Sequence, residues 1–444
     1  MLGRNFVFRR GRGVLHHLLE QNDEAILLAF LIRSDQTHIW SKVDGRTPLA
    51  HAAVEAHQVL VKWLIENCAG IESTDFDGQT PLSLAAENGH EAVCKLLLEG
   101  GAEVNSQDKD GLTPLAKAVA RRHEGTVKVL LAVGSIDVDR KDNLGRTPLY
   151  LAVYNDCLTI ARILVMSGRA NVNFWDNEKR TPLLWLLEKN ETFTIVNHRP
   201  RGTFVTIWVR KPKLLWDIQN TQEEIARLLV DNGADVNLSG PDGRTPLSFA
   251  AERSNDNIIK ILLENGAAVD AKDKTGRTPL SWAAANSKNE NSIRILLGNG
   301  AEIESEDKTG RTPLSWAAGR CKAYAFADII RFSLAGNDMN IMKILLQAGA
   351  NVESKDINGR TPLSWAAQNS HGESYFDVLF EKQEDRSMSR ISQWASSPST
   401  EDIRGITELL LENGADLNAK DHHGRTPLDW AIYWGNEHAA KLLR

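Results

Sequence analysis

The feature that most constrains this chain is a triplet, Thr-Pro-Leu, that occurs ten times along its 444 residues. The triplets begin at Thr47, Thr80, Thr113, Thr147, Thr181, Thr245, Thr278, Thr312, Thr361 and Thr426. Most neighbouring triplets lie 33 or 34 residues apart, and the three larger gaps equal one such period plus an insertion. The segment GRTPLSWAA even recurs unchanged at 276–284, 310–318 and 359–367. A fixed period of this length predicts an array of similar units rather than unrelated domains.

Each unit contains the signals for two helices and an extended loop. A Gly stands two residues before the triplet in nine units, with Lys179 in its place in the fifth, and it supplies the positive φ of a tight turn. An Asp three residues before that Gly, as in Asp75 and Asp273, is placed to accept hydrogen bonds from nearby backbone N–H groups. The Thr is typical of a helix N-cap and the Pro of the first helical position. A second, aliphatic helix follows and ends at Asn-Gly or Gly-Gly.

This pattern resembles the ankyrin repeat, whose signature is Thr-Pro-Leu-His-x-Ala at the same period. The resemblance covers about residues 14–444 and implies an all-α ankyrin-repeat solenoid of about eleven helix pairs. The Ser-Trp-Ala-Ala variant is similar to the long ankyrin arrays of filamentous fungi, which are often attached to NTPase-type sensor proteins.

The family's His is absent from every unit. Its position is taken by Ala50, Ser83, Ala116, Tyr150, Leu184, Ser248, Ser281, Ser315, Ser364 and Asp429. In the family that His bridges adjacent repeats by hydrogen bonds. Because a Ser replaces only part of this, we expect lower rigidity between repeats.

The domain organisation follows from the period. Residues 1–13 are a basic N-terminal tail, residues 14–43 a degenerate capping repeat, and residues 44–444 ten ankyrin repeats. Insertions are predicted at about 190–221, 320–337 and 370–402, each between the two helices of its repeat. The first is basic and β-prone, the second apolar, and the third acidic and Ser-rich. Three interpretations remain open for them: tolerated loops, partner-binding segments, and introns translated in frame.

Composition excludes several classes of function. A net charge of −6 argues against nucleic acid as a partner. The apolar run near the start, AILLAFLI at 25–32, is too short to span a membrane. The four cysteines, at no recurring spacing, predict neither a disulfide framework nor a zinc site. We therefore expect an intracellular protein, cytoplasmic or nuclear, that is monomeric and has no membrane partner.

The sequence contains none of the motifs for phosphate binding, zinc ligation or nucleophilic catalysis. The adjacent pairs His16–His17 and His422–His423 do not predict a metal site, because neighbours in a helix point apart. We expect no catalytic residue, no cofactor and no metal. Enzymatic activity within an insertion is a further interpretation, which the residues of none of the three support.

The resemblance implies partner contacts at two places. One is the finger tips, which are the turns before each triplet, and the other is the far ends of the first helices. At the tips these are Phe76, Asp77, Lys109, Asp110, Asn143, Leu144, Ile357, Asn358, His422 and His423. At the helix ends they include Glu87, Asn88, Arg121, Tyr154, Arg253, Tyr433 and Trp434. Phe76, Leu144 and Ile357 are the strongest individual candidates, because a solvated turn is normally polar at these positions.

Two columns of side chains run through the array. Trp185, Trp282, Trp316, Trp365 and Trp430 share one position in the first helix, where Leu84, Leu151 and Phe249 stand in other units. We interpret this position as a large apolar core site without chemical specificity, in preference to an exposed ligand groove. The residue before the Thr is Arg in eight units, from Arg46 to Arg425. Pairing of each Arg with a finger Asp is favoured over a basic ladder that faces an acidic partner.

The function that these observations favour is non-catalytic protein–protein recognition, by a scaffold or adaptor that uses the concave ankyrin surface and the finger loops. The alternative is the sensor or regulatory arm of a larger multidomain, NTPase-type protein, an expectation that the ragged start and abrupt end of the chain favour.

Overall fold

The structure, a computed structural model, describes residues 23–33, 45–188, 193–198, 205–210, 215–286, 290–319, 338–368 and 400–444. These residues form 21 helices and two strands. In chain order they are α1 (Glu24–Arg33), α2 (Pro48–Val54), α3 (Gln58–Glu66), α4 (Pro81–Asn88), α5 (Glu91–Glu99), α6 (Pro114–Ala120), α7 (Glu124–Leu131), α8 (Pro148–Tyr154), α9 (Leu158–Met166), α10 (Pro182–Glu188), β1 (Phe193–His198), β2 (Val205–Arg210), α11 (Leu215–Asp231), α12 (Pro246–Glu252), α13 (Asp256–Glu264), α14 (Pro279–Asn286), α15 (Asn291–Gly298), α16 (Pro313–Ala318), α17 (Asp338–Gln347), α18 (Pro362–Gln368), α19 (Thr400–Glu412), α20 (Pro427–Tyr433) and α21 (Glu437–Leu442).

The ten repeats are numbered here by their triplets, and each contains two helices. The predicted fold class, an all-α ankyrin-repeat solenoid, is therefore confirmed. Strands β1 and β2 lie between α10 and α11 and pair antiparallel, with Phe193 opposite Arg210 and His198 opposite Val205. This hairpin agrees with the β-prone composition of the first predicted insertion. The second predicted insertion lies outside the described residues, as does the third apart from its last residues, 400–402.

The first helix of every repeat begins as the sequence predicts. In all ten, the Thr Oγ1 accepts a hydrogen bond of 3.2–3.4 Å from the backbone N–H three residues later. This N-cap satisfies a donor that the helix leaves unpaired, and the following Pro has no donor to lose. In the tenth repeat Asp429 also accepts from the Thr426 backbone, which completes a capping box.

The finger turns are built by an Asp and a residue of positive φ. Asp273 Oδ1 accepts hydrogen bonds from the N–H groups of Thr275 at 2.8 Å and Arg277 at 3.0 Å. Gly276 has a φ of +86°, and a Cβ there would lie 2.7 Å from the Lys308 nitrogen in the next finger. Glycine is therefore required by both the turn and the close approach of its neighbour.

The described residues form two compact units, one that ends at Ala234 and one that begins at Asp235. In the first unit the triplet leucines of the first five repeats are at most 1% exposed. In the second unit Leu247, Leu280, Leu314 and Leu363 are fully buried. Each unit is thus a stack of repeats whose first helices supply a column of core leucines.

Candidate partner-binding surface

The ten finger-tip residues that the sequence predicts as partner contacts are all exposed, and so are Tyr433 and Trp434 at the last helix end. The other predicted helix ends divide into exposed residues, Asn88, Arg121 and Tyr154, and half-buried ones, Glu87 and Arg253. Phe76 is 71% exposed, Leu144 58% and Ile357 60%, and at the end of the chain Tyr433 is 76% and Trp434 45% exposed. The remaining seven are the polar tip residues Asp77, Lys109, Asp110, Asn143, Asn358, His422 and His423. Large apolar side chains thus stand on turns where solvent would favour polar ones.

The finger tips are held in place by their backbones. In the first unit the N–H of Lys109 donates to the carbonyl of Asp77 at 2.9 Å, and that of Asn143 to Asp110 at 3.0 Å. In the second unit the same bond joins the N–H of Ile357 to the carbonyl of Thr309 at 3.0 Å. Because one such bond links each of these tips to the next, their side chains project from a fixed frame.

A cleft of about 110 Å³ lies between the fourth and fifth repeats, in the first unit. Its lining consists of Leu144, Arg146, Tyr150, Tyr154, Asp176, Asn177, Glu178, Arg180 and Trp185. The ring of Trp185 lies 4.6 Å from that of Tyr154 and 5.8 Å from that of Tyr150, measured between centroids. Trp185 is 9% exposed, whereas Tyr154 is 44% exposed. The cleft therefore has a buried aromatic floor and an apolar rim open to solvent.

A polar network fixes the walls of this cleft. Tyr150 donates its hydroxyl to Asp176 Oδ2 at 2.8 Å, and burial together with this carboxylate raises the pKa of the phenol well above its ordinary range. Arg180 forms ion pairs with Asp176 at 3.0 Å and with the exposed carboxylate of Glu178 at 2.8 Å. Tyr150 stands at the position of the family's His, so in this repeat the link to the next one is restored by a phenol.

The cleft joins two residues that the sequence predicts as partner contacts, Leu144 at a finger tip and Tyr154 at a helix end, to residues that it did not single out for binding. Tyr150 and Trp185 were placed only in columns of repeated positions. One signal in the sequence could have indicated the cleft. Tyr150 takes the position of the family's His in the fourth repeat, and the Trp column begins in the next repeat with Trp185.

The Trp column is largely buried, as the sequence predicts. Trp185 and Trp430 are 9% and 8% exposed, and Trp282, Trp316 and Trp365 are half-buried. The expected lack of chemical specificity is wrong for the second unit. There the indole N–H of each Trp donates to its own finger Asp, at 2.9–3.2 Å, in the pairs Trp282–Asp273, Trp316–Asp307, Trp365–Asp356 and Trp430–Asp421.

The Arg column divides into two types. Arg146 and Arg180 in the first unit form ion pairs with their own finger Asp, and Arg46 pairs with Asp75 of the next finger at 3.3 Å. In the second unit only Arg425 has its predicted pairing, with Asp421 at 2.9 Å. For the other four arginines the prediction of Asp pairing is wrong. In three of these repeats the Oδ2 atom of the finger Asp accepts the Trp N–H instead. In the sixth repeat Gly240 stands at the position of the finger Asp, and Arg244 pairs with Glu252.

These arginines stack on aromatic rings. The guanidinium carbons of Arg244, Arg277, Arg311, Arg360 and Arg425 lie 3.6–4.0 Å from the ring centroids of Phe249, Trp282, Trp316, Trp365 and Trp430. Guanidinium groups and aromatic rings alternate along this column, and we call these ten residues the Arg–Trp ladder. Stacking of this kind is favourable when the cation is desolvated, and the first four arginines are only 6–9% exposed.

Within the described part of the chain, no group of His, Cys, Asp and Glu side chains is arranged to hold a metal ion. The helices of that part include none that is both long enough and apolar enough to cross a membrane.

Comparisons with known proteins agree with the geometry. Family models described as ankyrin repeats match residues 14–108, 95–176, 214–307, 309–357 and 405–444. The ADP-ribosylation factor GTPase-activating protein AGD4 of Arabidopsis thaliana is 58% identical over 38 residues, which cover 9% of this chain and 5% of that protein. Protein phosphatase 1 regulatory subunit 12A of Mus musculus is 37% identical over 81 residues, which cover 14% and 8%.

Among solved structures, the ankyrin repeat domain of Bcl-3 is 25% identical, with a TM-score of 0.47, and the match covers 58% of this chain and all of that one. The chain spans less than a tenth of the length of the curated relatives named above. The family models, in contrast, match well over half of its residues. The chain therefore belongs to the ankyrin-repeat family.

Proposed function

We propose that this protein is a non-catalytic scaffold or adaptor that binds protein partners through its finger tips and the ends of its first helices. Ankyrin repeats in general mediate protein–protein interaction, and their fold is generally non-catalytic. The observation that carries the proposal for this chain is the aromatic cleft of the fourth and fifth repeats, with the exposed side chains of Leu144 and Tyr154 at its rim.

The cleft has the properties of an anchor site. Its volume of about 110 Å³ suits one apolar or aromatic side chain of a partner. The aromatic floor offers a large contact area, and the hydrogen-bonded walls are already rigid, so little conformational entropy is lost on binding. Covering Leu144 and Tyr154 removes apolar surface from water, which favours association.

We also propose a cellular compartment for this protein, on the basis of its cysteines. The described cysteines, Cys68, Cys94 and Cys157, are free thiols. Burial raises the pKa of the Cys94 thiol to about 12, so this thiol stays protonated and inert. These features suit a monomeric adaptor in a reducing intracellular compartment, the cytoplasm or the nucleus.

The test is affinity capture from the native cell with the full chain, followed by binding measurements on the purified partner. Leu144→Ser with Tyr154→Ser is expected to weaken partner binding at least tenfold without lowering the melting temperature. The matched control is Met166→Ser, which changes a 64% exposed apolar residue at the end of α9, away from the cleft. Unchanged binding by the double variant would contradict the cleft as the anchor, and a lower melting temperature would identify these side chains as structural.

A second candidate function is the sensor or regulatory arm of a larger, NTPase-type protein. It is favoured by the relatives, in which the matched repeats make up only 5–8% of the protein, and whose names describe a regulatory subunit and a GTPase-activating protein. Sequencing the native transcript tests it. A reading frame that continues into an NTPase domain supports this candidate, and stop codons on both sides contradict it. The same transcript decides whether the three insertions are retained introns.

A further inference from the structure

The centre of the Arg–Trp ladder contains two arginines with unused hydrogen-bonding capacity. Arg277 Nη2 donates to the carbonyl of Ser281 at 3.0 Å, and Arg311 Nη2 to that of Ser315 at 2.7 Å. These are the only side-chain hydrogen bonds of the two arginines among the described residues. Both Nε atoms are buried without an acceptor. Since an arginine has five N–H donors, most of the donors of this pair have no acceptor among the described residues.

The neighbouring arginines of the ladder are better satisfied. Arg244 forms an ion pair with Glu252, and Arg360 donates to Gln368 Oε1 at 2.6 Å. The residues at the same position in the seventh and eighth repeats are Ala285 and Gly319, neither of which has an acceptor. The two central repeats therefore lack an acceptor that the sixth and ninth repeats provide.

The central pair is also without a direct counter-ion. No carboxylate of the described residues lies within 4.0 Å of Arg277 or Arg311. Their finger carboxylates, Asp273 and Asp307, instead accept the indole N–H groups at 2.9 and 3.0 Å. Burial lowers the pKa of both guanidinium groups to about 10, which leaves them charged at neutral pH. A largely buried cation without a bonded anion is costly, and an external carboxylate that reaches the Nη edge would relieve this cost.

The spacing of the pair suits an extended chain. The guanidinium carbons of Arg277 and Arg311 lie 3.9 and 3.7 Å from the centroid of Trp316. Two planar cations cannot share one face of a ring at these distances, so they cover opposite faces. Their separation is therefore at most about 8 Å, close to the roughly 7 Å between alternate side chains of a β-strand.

We propose that Arg277 and Arg311 form a docking site for an acidic protein segment, bound in an extended conformation with carboxylates at alternate positions. This inference rests on the proposed function as a protein-binding scaffold and names the chemistry of one partner. Each carboxylate accepts hydrogen bonds from one guanidinium and takes the place that Glu252 and Gln368 fill in the flanking repeats. Neither Ala285 nor Gly319 has a side chain that competes for these donors.

The geometry favours a peptide over a single-stranded nucleic acid. Bases bind to such surfaces by stacking on exposed aromatic faces. Both faces of Trp282, Trp316 and Trp365 are already covered by guanidinium groups, so only ring edges remain. The net charge of −6 also disfavours a polyanion as long as a nucleic acid.

The test uses the full chain and fluorescently labelled octapeptides with blocked ends, measured by polarisation. The probe alternates Ser and Glu, and the control peptide has the order Glu-Glu-Ser-Ser-Glu-Glu-Ser-Ser, which has equal charge but no Glu pair two residues apart. We expect the alternating peptide to bind at least tenfold more tightly. Equal affinity would overturn the extended, alternating mode, and tighter binding of an oligothymidine probe that depends on Arg277 would overturn the assignment to a protein segment.

Three variants identify the site. Arg277→Gln with Arg311→Gln is expected to weaken binding of the alternating peptide at least tenfold. The control Arg294→Gln removes one positive charge from the exposed side of α15 in the same unit and is expected to change binding less than twofold. Ala285→Glu keeps both arginines but supplies an internal acid at the position of Glu252, so it is expected to abolish binding while the melting temperature is retained.

These outcomes separate this inference from the proposed function. Peptide binding that survives Ala285→Glu and the double Gln variant would overturn the ladder site. Capture of a partner through the Leu144 cleft is unaffected by that result. If the cleft variants retain their partner but the ladder variants lose the peptide, the cleft fails as an anchor and the ladder site stands.

Discussion

At the scale of single residues, the finger Asp performs two structural tasks with one carboxylate. Asp273 Oδ1 accepts from the Thr275 N–H and hydroxyl and from the Arg277 N–H, and Oδ2 accepts from the Trp282 indole. Burial alone raises the pKa of this carboxyl. The hydrogen bonds from Thr275, Arg277 and Trp282 outweigh burial and hold the pKa below its ordinary value of 3.8. The charged form is therefore the one that the turn stabilises.

We predict that Asp273→Asn lowers the free energy of unfolding at pH 7 by about 1–3 kcal/mol. The amide keeps one accepting oxygen, but its N–H₂ group cannot accept the bonds that are made to the other carboxylate oxygen. A carboxyl whose pKa is lowered by folding stabilises the protein above its unfolded pKa and loses this contribution as the pH falls through the folded one. The native chain should therefore lose stability below about pH 4, and the variant less steeply.

Urea unfolding at pH 7, 5 and 3 measures both effects. Glu264→Gln, at the exposed end of α13, is the control and should stay within about 0.5 kcal/mol of the native chain. A variant as stable as the native chain at pH 7 would show that the carboxylate contributes little to the turn.

At the scale of elements, the parts that sequence predicts are those whose signals are local. The N-cap Thr, the Pro after it and the Asp–Gly turn each act within a few residues, so a single repeat predicts its own helix start and finger. The Arg–Trp ladder depends on the register between repeats, which brings Arg277 and Arg311 to the two faces of Trp316. The sequence reveals both columns but not their alternation. The cleft is similar, because Tyr150 and Trp185 meet only when two repeats stack.

The finger turn of the fifth repeat differs from the others, because a Lys stands at the position of positive φ where the other fingers have a Gly. Lys179 has a φ of +59°, where the glycines at the equivalent turns have values between +76° and +86°. The left-handed conformation costs a residue with a Cβ about 1 kcal/mol or more. We therefore predict that Lys179→Gly raises the free energy of unfolding by about 0.5–1 kcal/mol, net of the added freedom of the unfolded chain.

Urea denaturation of the full chain measures this change. The opposite substitution in the preceding finger, Gly145→Lys, should destabilise by more than about 1 kcal/mol, because a Cβ there meets the Asn177 side chain. A Lys179→Gly variant less stable than the native chain would mean that the Lys side chain contributes more than its backbone strain removes.

At the scale of the whole molecule, the two units hold the arginines before their triplets by different chemistry. In the first unit the arginines before the triplets pair with finger carboxylates. In the second unit four of the five stack between two rings, and the fifth, Arg425, stacks against one. In a repeat stack each repeat contacts only its neighbours, so a local change spreads over a short distance. The ladder lies entirely in the second unit, and its effects should be confined there.

We predict that Trp316→Ala destabilises the second unit by about 3 kcal/mol, because it removes a half-buried ring and leaves Arg277, Arg311 and Asp307 without their shared partner. Hydrogen exchange measured by mass spectrometry should become faster in α14 to α18 and stay unchanged in α2 to α9. Trp434→Ala, which changes a 45% exposed ring, is the control and should alter stability by less than about 0.5 kcal/mol. A near-neutral Trp316→Ala would argue that the ring is a surface contact, and faster exchange in both units would contradict local propagation.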